Sequence, residues 1–483
     1  MFPWVRPLWR LSIVAVILSV AAAGHASDLL PSVDARALAP VVDGGLTPEQ
    51  VAIAARATAP NVALADNALR AAEAQVALAR VAAVPRVDLG AGYTRLSPIE
   101  QPPFSFGGQS ITSPFPVILD QYSLSASLSV PLSDIFLRAL PGLDIVRRSA
   151  DARELEARAQ AIVAEWQGRE AYHGWLRALT ARNVAAASVA TLRATLDNVQ
   201  ALADAGVLPR LDVISTRAGV EQAQTALRQA EHGVTLAEDA IRILTGWEDG
   251  SAFEPGEDLL VTPDIPAPTA EELVERALVA RPEVALFAEL LSISSSRVRI
   301  QRTGGWPSLH VGAGVLYANP NPRIVPSEEQ FDATWDVGIS IAWSPNDLWR
   351  ARAQVDQASI ERDRVREELR AFELGLRNEA ARAANAWARA LTAIDGARDQ
   401  LEAATEEFEA RAAALDGGVG TTTELLAAQG RLVSAWMDLL DGAVELRRSM
   451  SLAARITGEN TALYATSGTP VAPLWPRATA GQP

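Results

Sequence analysis

Residues 122–131 alternate without a break: Tyr122, Leu124, Ala126, Leu128 and Val130 take one parity, Ser123, Ser125, Ser127 and Ser129 the other. A period of two places the two sets on opposite faces of a β-strand. Three more stretches behave alike. Val87–Tyr93 begins alternating after Pro85. Leu309, Val311, Ala313, Val315 and Tyr317 alternate with His310, Gly312 and Gly314, and Trp335, Val337, Ile339, Ile341 and Trp343 alternate with Asp336, Gly338, Ser340, Ala342 and Ser344. The strands predicted are 86–95, 121–131, 308–318 and 335–344.

The remaining pattern is helical. Thr47-Pro48-Glu49 supplies an N-cap and a first-turn proline for an Ala-rich helix running to about Ala83, with a break or kink at Pro60. After the second strand a helical pattern runs from about Ile135 to Leu202. Pro141-Gly142 interrupts its first turns, so the regular part is expected to start near Leu143. That element spans roughly 90–100 Å at 1.5 Å per residue. Such a length points to a coiled coil or helical tube rather than a globular core. Gly206-Val207-Leu208-Pro209 turns the chain, which returns as a helix over Leu211–Leu244. Residues 97–121 read as a Pro/Phe/Gly/Ser loop and 247–267 as an irregular connector.

The chain then repeats itself. An offset of 222 sets Thr47 on Thr269, Pro60 on Pro282, Val62-Ala-Leu64 on Val284-Ala-Leu286, Pro85 on Pro307 and Gly90-Ala-Gly92 on Gly312-Ala-Gly314. An offset of 212 sets Gly206-Val207 on Gly418-Val419, Asp212 on Glu424 and Thr245-Gly246 on Thr457-Gly458. Each half reads helix, strand, loop, strand, long helix, turn, helix, which is a tandem duplication rather than a short-period solenoid. The organisation expected is a signal peptide (1–26), a lead (27–45), a first repeat (46–246), a connector (247–267), a second repeat (268–458) and a C-terminal tail (459–483). The tail is read as mobile or as part of a collar around the helices.

Strands of about ten residues with one apolar and one small, polar face are the unit of a transmembrane β-barrel. If the loops are extracellular, Tyr93, Tyr122, Tyr317 and Trp335 fall at one end of their strands and Trp343 and Trp306 at the other. That is the arrangement of two aromatic girdles. Four strands cannot close, and an open edge in lipid leaves backbone groups unpaired, so the chain must oligomerise. Two copies give eight strands and a filled lumen; three give twelve and room for a channel. The small lumen set (Ser, Gly, Thr94, Asp88, Asp336) favours the homotrimer. The fold class expected is therefore an α+β membrane protein whose strands share a trimeric 12-stranded β-barrel, continued by long helices.

Composition narrows the function. Arg6 and Arg10 precede the apolar run Leu11–Ala23, and Gly24-His25-Ala26 offers small residues at the cleavage positions, so export by a signal peptide cut after Ala26 is expected. No later stretch reaches 18 apolar residues, so a membrane must be entered as a barrel. The net charge of −15 speaks against nucleic acid as a partner. The chain has no Cys, which excludes disulfides, thiolate metal sites, Cys nucleophiles and a lipid anchor at an N-terminal Cys. Every basic residue is Arg, for no Lys occurs.

Candidate chemistry is thin. Glu170-Ala-Tyr-His173 has the Glu-x-x-His spacing of di-iron bundles, but no second copy exists. Gly90-Ala-Gly92 and Gly312-Ala-Gly314 lack the third glycine and following helix of a phosphate loop. Nothing supports catalysis or a cofactor. The charge runs Glu361–Arg370 and Glu402–Arg411 read as solvated or interhelical faces. Asp212 and Glu424, each just past a turn, suit the positive end of a helix dipole whatever else they do.

The layout from Leu46 to Gly458 resembles the TolC-type outer-membrane efflux and secretion channels. The matching features are Leu46-Thr-Pro-Glu49 with Pro60, the Ala-rich run ending in Pro85-Arg-Val-Asp-Leu, strand-ending Pro131 and Pro345, and the Gly-x-x-x-x-x-acidic-apolar turns at Gly206–Val213 and Gly418–Leu425. The resemblance implies a trimer whose barrel lies in the outer membrane of a Gram-negative bacterium and whose α-helical barrel crosses the periplasm. It also implies docking to a periplasmic adaptor and an inner-membrane pump or ABC exporter. The adaptor-docking tips would be Gly206, Val207, Leu208 and Pro209 together with Gly418, Val419, Gly420 and Thr421, with Asp212 and Glu424 at the periplasmic entrance. Family members often carry a second carboxylate three residues later; this chain has Ser215 and Ala427 there. Leu132–Asp144 also departs from the family's short Gly-containing link. The function expected is a passive exit duct for a tripartite efflux pump or a type I secretion system. The alternative is an exported periplasmic coiled-coil adaptor or structural protein with a soluble sandwich, and an enzyme comes a distant third.

Overall fold

The structure, a computed structural model, describes residues 35–82, 84–98, 104–106, 109–111, 118–248 and 253–458. The expected signal peptide, residues 27–34 of the lead and the C-terminal tail lie outside the described residues.

A helical turn, α1 (Ala35–Leu38), precedes α2 (Pro48–Thr58) and α3 (Pro60–Ala82). Thr47 caps α2 in a capping box: its hydroxyl accepts from Gln50 N at 3.3 Å, and the Gln50 amide oxygen accepts from Thr47 N at 3.0 Å. Pro60 separates the two helices because the residue before a proline avoids the helical region; Ala59 sits at φ −60°, ψ 120°. Strand β1 (Arg86–Arg95) leads through a short hairpin, β2 (Phe104–Phe106) and β3 (Gln109–Ile111), to β4 (Asp120–Val130). That hairpin lies in what alternation alone marks as loop.

Then α4 (Leu132–Asp134), a π turn (Ile135–Ala139) and α5 (Leu140–Asp204) run on continuously. Pro141-Gly142 does not interrupt the helix, contrary to the expected start near Leu143. Pro141 falls in the first turn of α5, where a missing N–H costs little. The π turn just ahead of it is closed by Leu140 N donating to Ile135 O. Helix α6 (Arg210–Thr245) returns antiparallel and ends on Gly246 in the left-handed region.

The second repeat follows with α7 (Ala270–Ala280), α8 (Pro282–Arg302), β5 (Ser308–Asn319), β6 (Asp332–Ala342), α9 (Asp347–Asp416) and α10 (Thr422–Thr457). Thr269 and Glu272 repeat the capping box, and Gly458 repeats the left-handed cap. Strand β6 lies three residues earlier than the alternation suggests at its start, because its pairing with β5 continues to Ala318 opposite Asp332.

Helices α5 and α9, of 65 and 70 residues, are about 98 and 105 Å long. Helix α5 packs on α2, α3 and α8 and, along the hairpin, on α6 and α10; α9 packs on α7, α8 and α10. Four clusters hold this layer together, the smallest joining Ala72 and Val76 of α3 to Leu143 and Ala150 of α5. Tyr172, Trp175, Leu176 and Leu179 of α5 meet Ile241, Leu440 and Leu259 of the connector. Leu376, Trp387 and Ile394 of α9 meet Leu273, Leu446 and Ile456. Near the turns Val199, Val213, Phe408, Leu415 and Leu425 form the fourth. Gly168 lets α2 approach α5 closely, for a Cβ there would lie 2.7 Å from Ala52 Cα.

The connector is clamped by Arg447, 7% exposed, whose guanidinium reaches Glu257 Oε1 at 2.5 Å and Val261 O at 2.8 Å. Burial raises the Glu257 pKa, but nearby His173 and Arg447 outweigh it and hold the carboxyl below its ordinary value.

Candidate functional site

The four long strands form one antiparallel sheet in the order β1-β4-β5-β6. Opposed residues share a face, so the register sorts the sheet. One face carries Val87, Leu89, Leu124, Leu128, Val315, Val337, Ile339 and Ile341. The other carries the four β4 serines with Asp88, Gly90, Gly92, Gly312, Gly314, Asp336 and Ser340. Neither face is covered by the rest of the chain along β1 and β6, where nearly every residue is exposed. Both edges also lack a strand partner among the described residues.

Of the sequence-predicted aromatics, Tyr93, Tyr122, Tyr317 and Trp335 lie on the apolar face. Tyr93 and Tyr122 are directly opposed, with ring centroids 5.0 Å apart. Tyr317 lies opposite Leu124, and Trp335, 75% exposed, lies one pair deeper, opposite Val315. Phe331, which alternation misses because it precedes β6, stacks on Tyr317 with ring centroids 5.2 Å apart and meets Tyr122 at a tilt, 6.0 Å away. At the other end Trp306 is exposed, and Trp343 Nε1 donates to Gly305 O at 3.1 Å.

At the far end of the long helices lie the two turns. In each, a glycine takes the left-handed conformation, Gly206 at φ 77° and Gly418 at φ 71°, which a side chain would strain. Val207 N then bonds to Leu202 O at 2.9 Å, and Val419 N to Ala414 O at 3.0 Å. Thr421 caps α10 by accepting from Glu424 N at 3.3 Å, whereas Pro209 offers α6 no side-chain cap. Gly420 is packed against Ala414 and Leu415 where the first turn has the half-buried Leu208. Val419 projects most, 86% exposed, and Val207 less.

The two acidic positions differ. Glu424 pairs with Arg411 across its hairpin at 3.1 Å. Asp212, half-buried in the first turn of α6, accepts on its backbone oxygen from the Ser215 and Thr216 hydroxyls. One turn further from the tip, Arg431 grips Glu407 with two bonds of 2.7 and 2.6 Å. That hydrogen bond, with the Arg431 charge, holds the Glu407 carboxyl below its ordinary value. The equivalent positions in the first hairpin are Val199, Thr195 and Gly219, so neither ionic staple can form there. Glu407 and Arg411 belong to a charge run that reads as a solvated or interhelical face, but nothing in its spacing, or in that of Arg431, marks their partners across the turn.

Between the hairpins the ties near the tip are few. Asn198 Nδ2 donates to Asp416 Oδ1 at 2.6 Å, and Gln429 donates to Ser188 O at 3.2 Å. Farther up, Arg177 holds Asp441, and Arg448 holds Glu170 at 2.6 Å. Glu170 and His173 are thereby split between Arg448 and Glu257. Among the described residues no group of three His, Cys, Asp or Glu could hold a metal, and no helix is long and apolar enough to cross a membrane.

A duplicated unit, a two-faced sheet with bare edges and paired helical hairpins define a channel subunit. The sequence matches the outer membrane efflux protein family over residues 52–247 and 273–454, and the chain belongs to that family. It is an outer-membrane protein and not an enzyme. Solved structures share the fold at low identity. CusC is 16% identical with a TM-score of 0.73 over 87% of this chain and 93% of that one. The MtrE outer membrane channel of Neisseria gonorrhoeae is 16% identical, TM-score 0.70, over 85% and 89%. VceC of Vibrio cholerae is 14% identical, TM-score 0.71, over 85% and 96%. No curated protein matches the sequence.

Proposed function

We propose that three copies of this chain form the outer-membrane exit duct of a tripartite efflux pump or type I secretion system. The observation that carries this is the sheet: four strands with one apolar face, one small polar face and two edges unpaired among the described residues. In lipid the edges must be satisfied by neighbouring copies, β1 of one against β6 of the next. Three copies close twelve strands around a lumen lined by serine and glycine, and the helices continue it into the periplasm. The aromatic clusters Tyr93, Tyr122, Tyr317, Trp335 and Trp306, Trp343 then mark the two lipid interfaces.

The duct is passive, and transport is powered by an inner-membrane pump or ABC exporter. The tips 206–209 and 418–421 are where a periplasmic adaptor docks. The second hairpin, stapled internally by Arg411–Glu424 and Arg431–Glu407, moves as one body when the Asn198–Asp416 tie and the apolar tip cluster part. The adaptor stabilises that open state by binding it better than the closed one. Asp212 and Glu424 stand at the entrance so formed.

The test is the mass of the detergent-solubilised protein by multi-angle light scattering, corrected for bound detergent. Three chain masses are expected. A monomer that needs no detergent would overturn the duct and restore the coiled-coil adaptor.

A further inference from the structure

Between β5 and β6 the chain does not arch away from the sheet but folds onto its polar face. Asn321, 2% exposed, donates from its amide to Asp332 O at 2.9 Å and Thr334 Oγ1 at 3.2 Å, and its own oxygen accepts from Arg323 N at 3.0 Å. Thr334 belongs to the polar face, as does Ala318, which the loop covers to 3% exposure. From this loop Arg323 reaches Asp336 Oδ1 at 2.6 Å. Asp336 is four residues into β6, about 13 Å along the strand from its outer end. Opposite it stands Gly314, whose missing side chain leaves room for the carboxylate: a Cβ would lie 3.1 Å from Asp336 Oδ1. Phe331, at the return of the loop, stacks on the opposite, apolar face. The loop is thus pinned on both sides of the sheet.

We infer that this loop narrows the extracellular mouth of the duct, and that Arg323, held by Asp336, sets the charge that an exiting solute meets. The inference rests on the barrel reading above, in which the polar face lines the lumen. Arg323 is the only arginine between Arg302 and Arg350, and none lies between Arg95 and Arg138. Asp332 and Asp336 sit on the same wall of β6. With Glu328 and Glu329 of the same loop, three copies place three cations among twelve carboxylates at the exit, so the arginines are what keeps the mouth from being uniformly acidic. Removing them makes it favour cations; removing Asp336 makes it favour anions.

The chain has no cysteine, so a single thiol can report on access. Ser340→Cys, on the polar face beyond Asp336, is compared with its apolar-face neighbour Ile339→Cys in full-length channels in lipid nanodiscs. Labelling rates are measured with a cationic and an anionic methanethiosulfonate. The Ser340→Cys thiol is expected to react and the Ile339→Cys thiol to stay protected. Adding Arg323→Ala should speed the cationic reagent about threefold, the effect of three charges acting across roughly one Debye length. Asp336→Asn should speed the anionic one by a similar factor, and the swap Arg323→Asp with Asp336→Arg should return both rates toward the parent values. If Ser340→Cys reacts selectively but neither substitution moves either rate, the mouth is not set by this pair and the barrel still stands. If the two thiols react alike, the polar face is not a lumen, and the barrel reading fails with the inference.

Discussion

The Asn198–Asp416 bond is the shortest tie between the two hairpins near their tips, and cutting it should shift the duct toward its open state. The bond is charge-assisted, at 2.6 Å, but Asp416 is solvent-exposed. A figure of about 1 kcal/mol is appropriate for such a partly hydrated bond. Three copies that open together lose about 3 kcal/mol, a shift of roughly 100-fold in the ratio of open to closed channels. Asn198→Ala removes the donor without leaving a buried charge, and single-channel recording in planar bilayers reads the open probability directly. Arg431→Ala is the control. It removes the staple inside the second hairpin, so it should lower thermal stability and leave the open probability near the parent value. Asn198→Ala combined with Asp416→Ala should open the channel no further than either alone, because both cut the same bond. An unchanged open probability in Asn198→Ala would refute the claim that the hairpins separate at this tie. A large gain in Arg431→Ala would show instead that the second hairpin opens by coming apart internally.

Three further outcomes are expected. Replacing Asp212 and Glu424 together by Ala should raise single-channel conductance and reduce cation selectivity in planar bilayers, and no change in either would remove their role at the entrance. The Glu257 carboxyl is held below its ordinary value of 4.5, so its clamp on the connector contributes stability above about that pH and loses it as the pH falls through the lower, folded value. Thermal melts from pH 6 to 3 should show this loss in the parent and not in Glu257→Gln, which starts lower and is flatter. Gly168→Ala should push α2 off α5, because the added carbon meets Ala52 backbone at 2.7 Å. A cost of about 1–3 kcal/mol, typical of overpacking, should appear as a lower melting temperature, and an unchanged melt would mean that α2 shifts freely.

Much of this architecture was legible because it is local. Alternation sorted the faces of the four expected strands, since a strand has no other period, though it did not reach the first residues of β6. Thr47 with Pro60, and their copies at Thr269 and Pro282, marked the helix starts and breaks through capping and proline chemistry. Gly206 and Gly418 marked the turns because only glycine enters the left-handed region without strain. The duplication multiplied each weak signal by two. Where local rules mislead, the cause is also local: Pro141 reads as a break, but it stands in the first turn of α5, directly after the π turn.

What the sequence by itself determined is therefore the order of elements, the faces of the strands and the demand for partners that bare edges impose. Tertiary structure alone decided which charged groups meet. Arg411 finds Glu424 and Arg431 finds Glu407 because two antiparallel helices bring them into phase, while Val199, Thr195 and Gly219 occupy the same places in the first hairpin. Phe331 joins Tyr122 and Tyr317, and Arg323 reaches Asp336, only because the second loop folds onto the sheet. Such contacts depend on helix phase and strand register accumulated over many residues, and no short window of sequence holds that information.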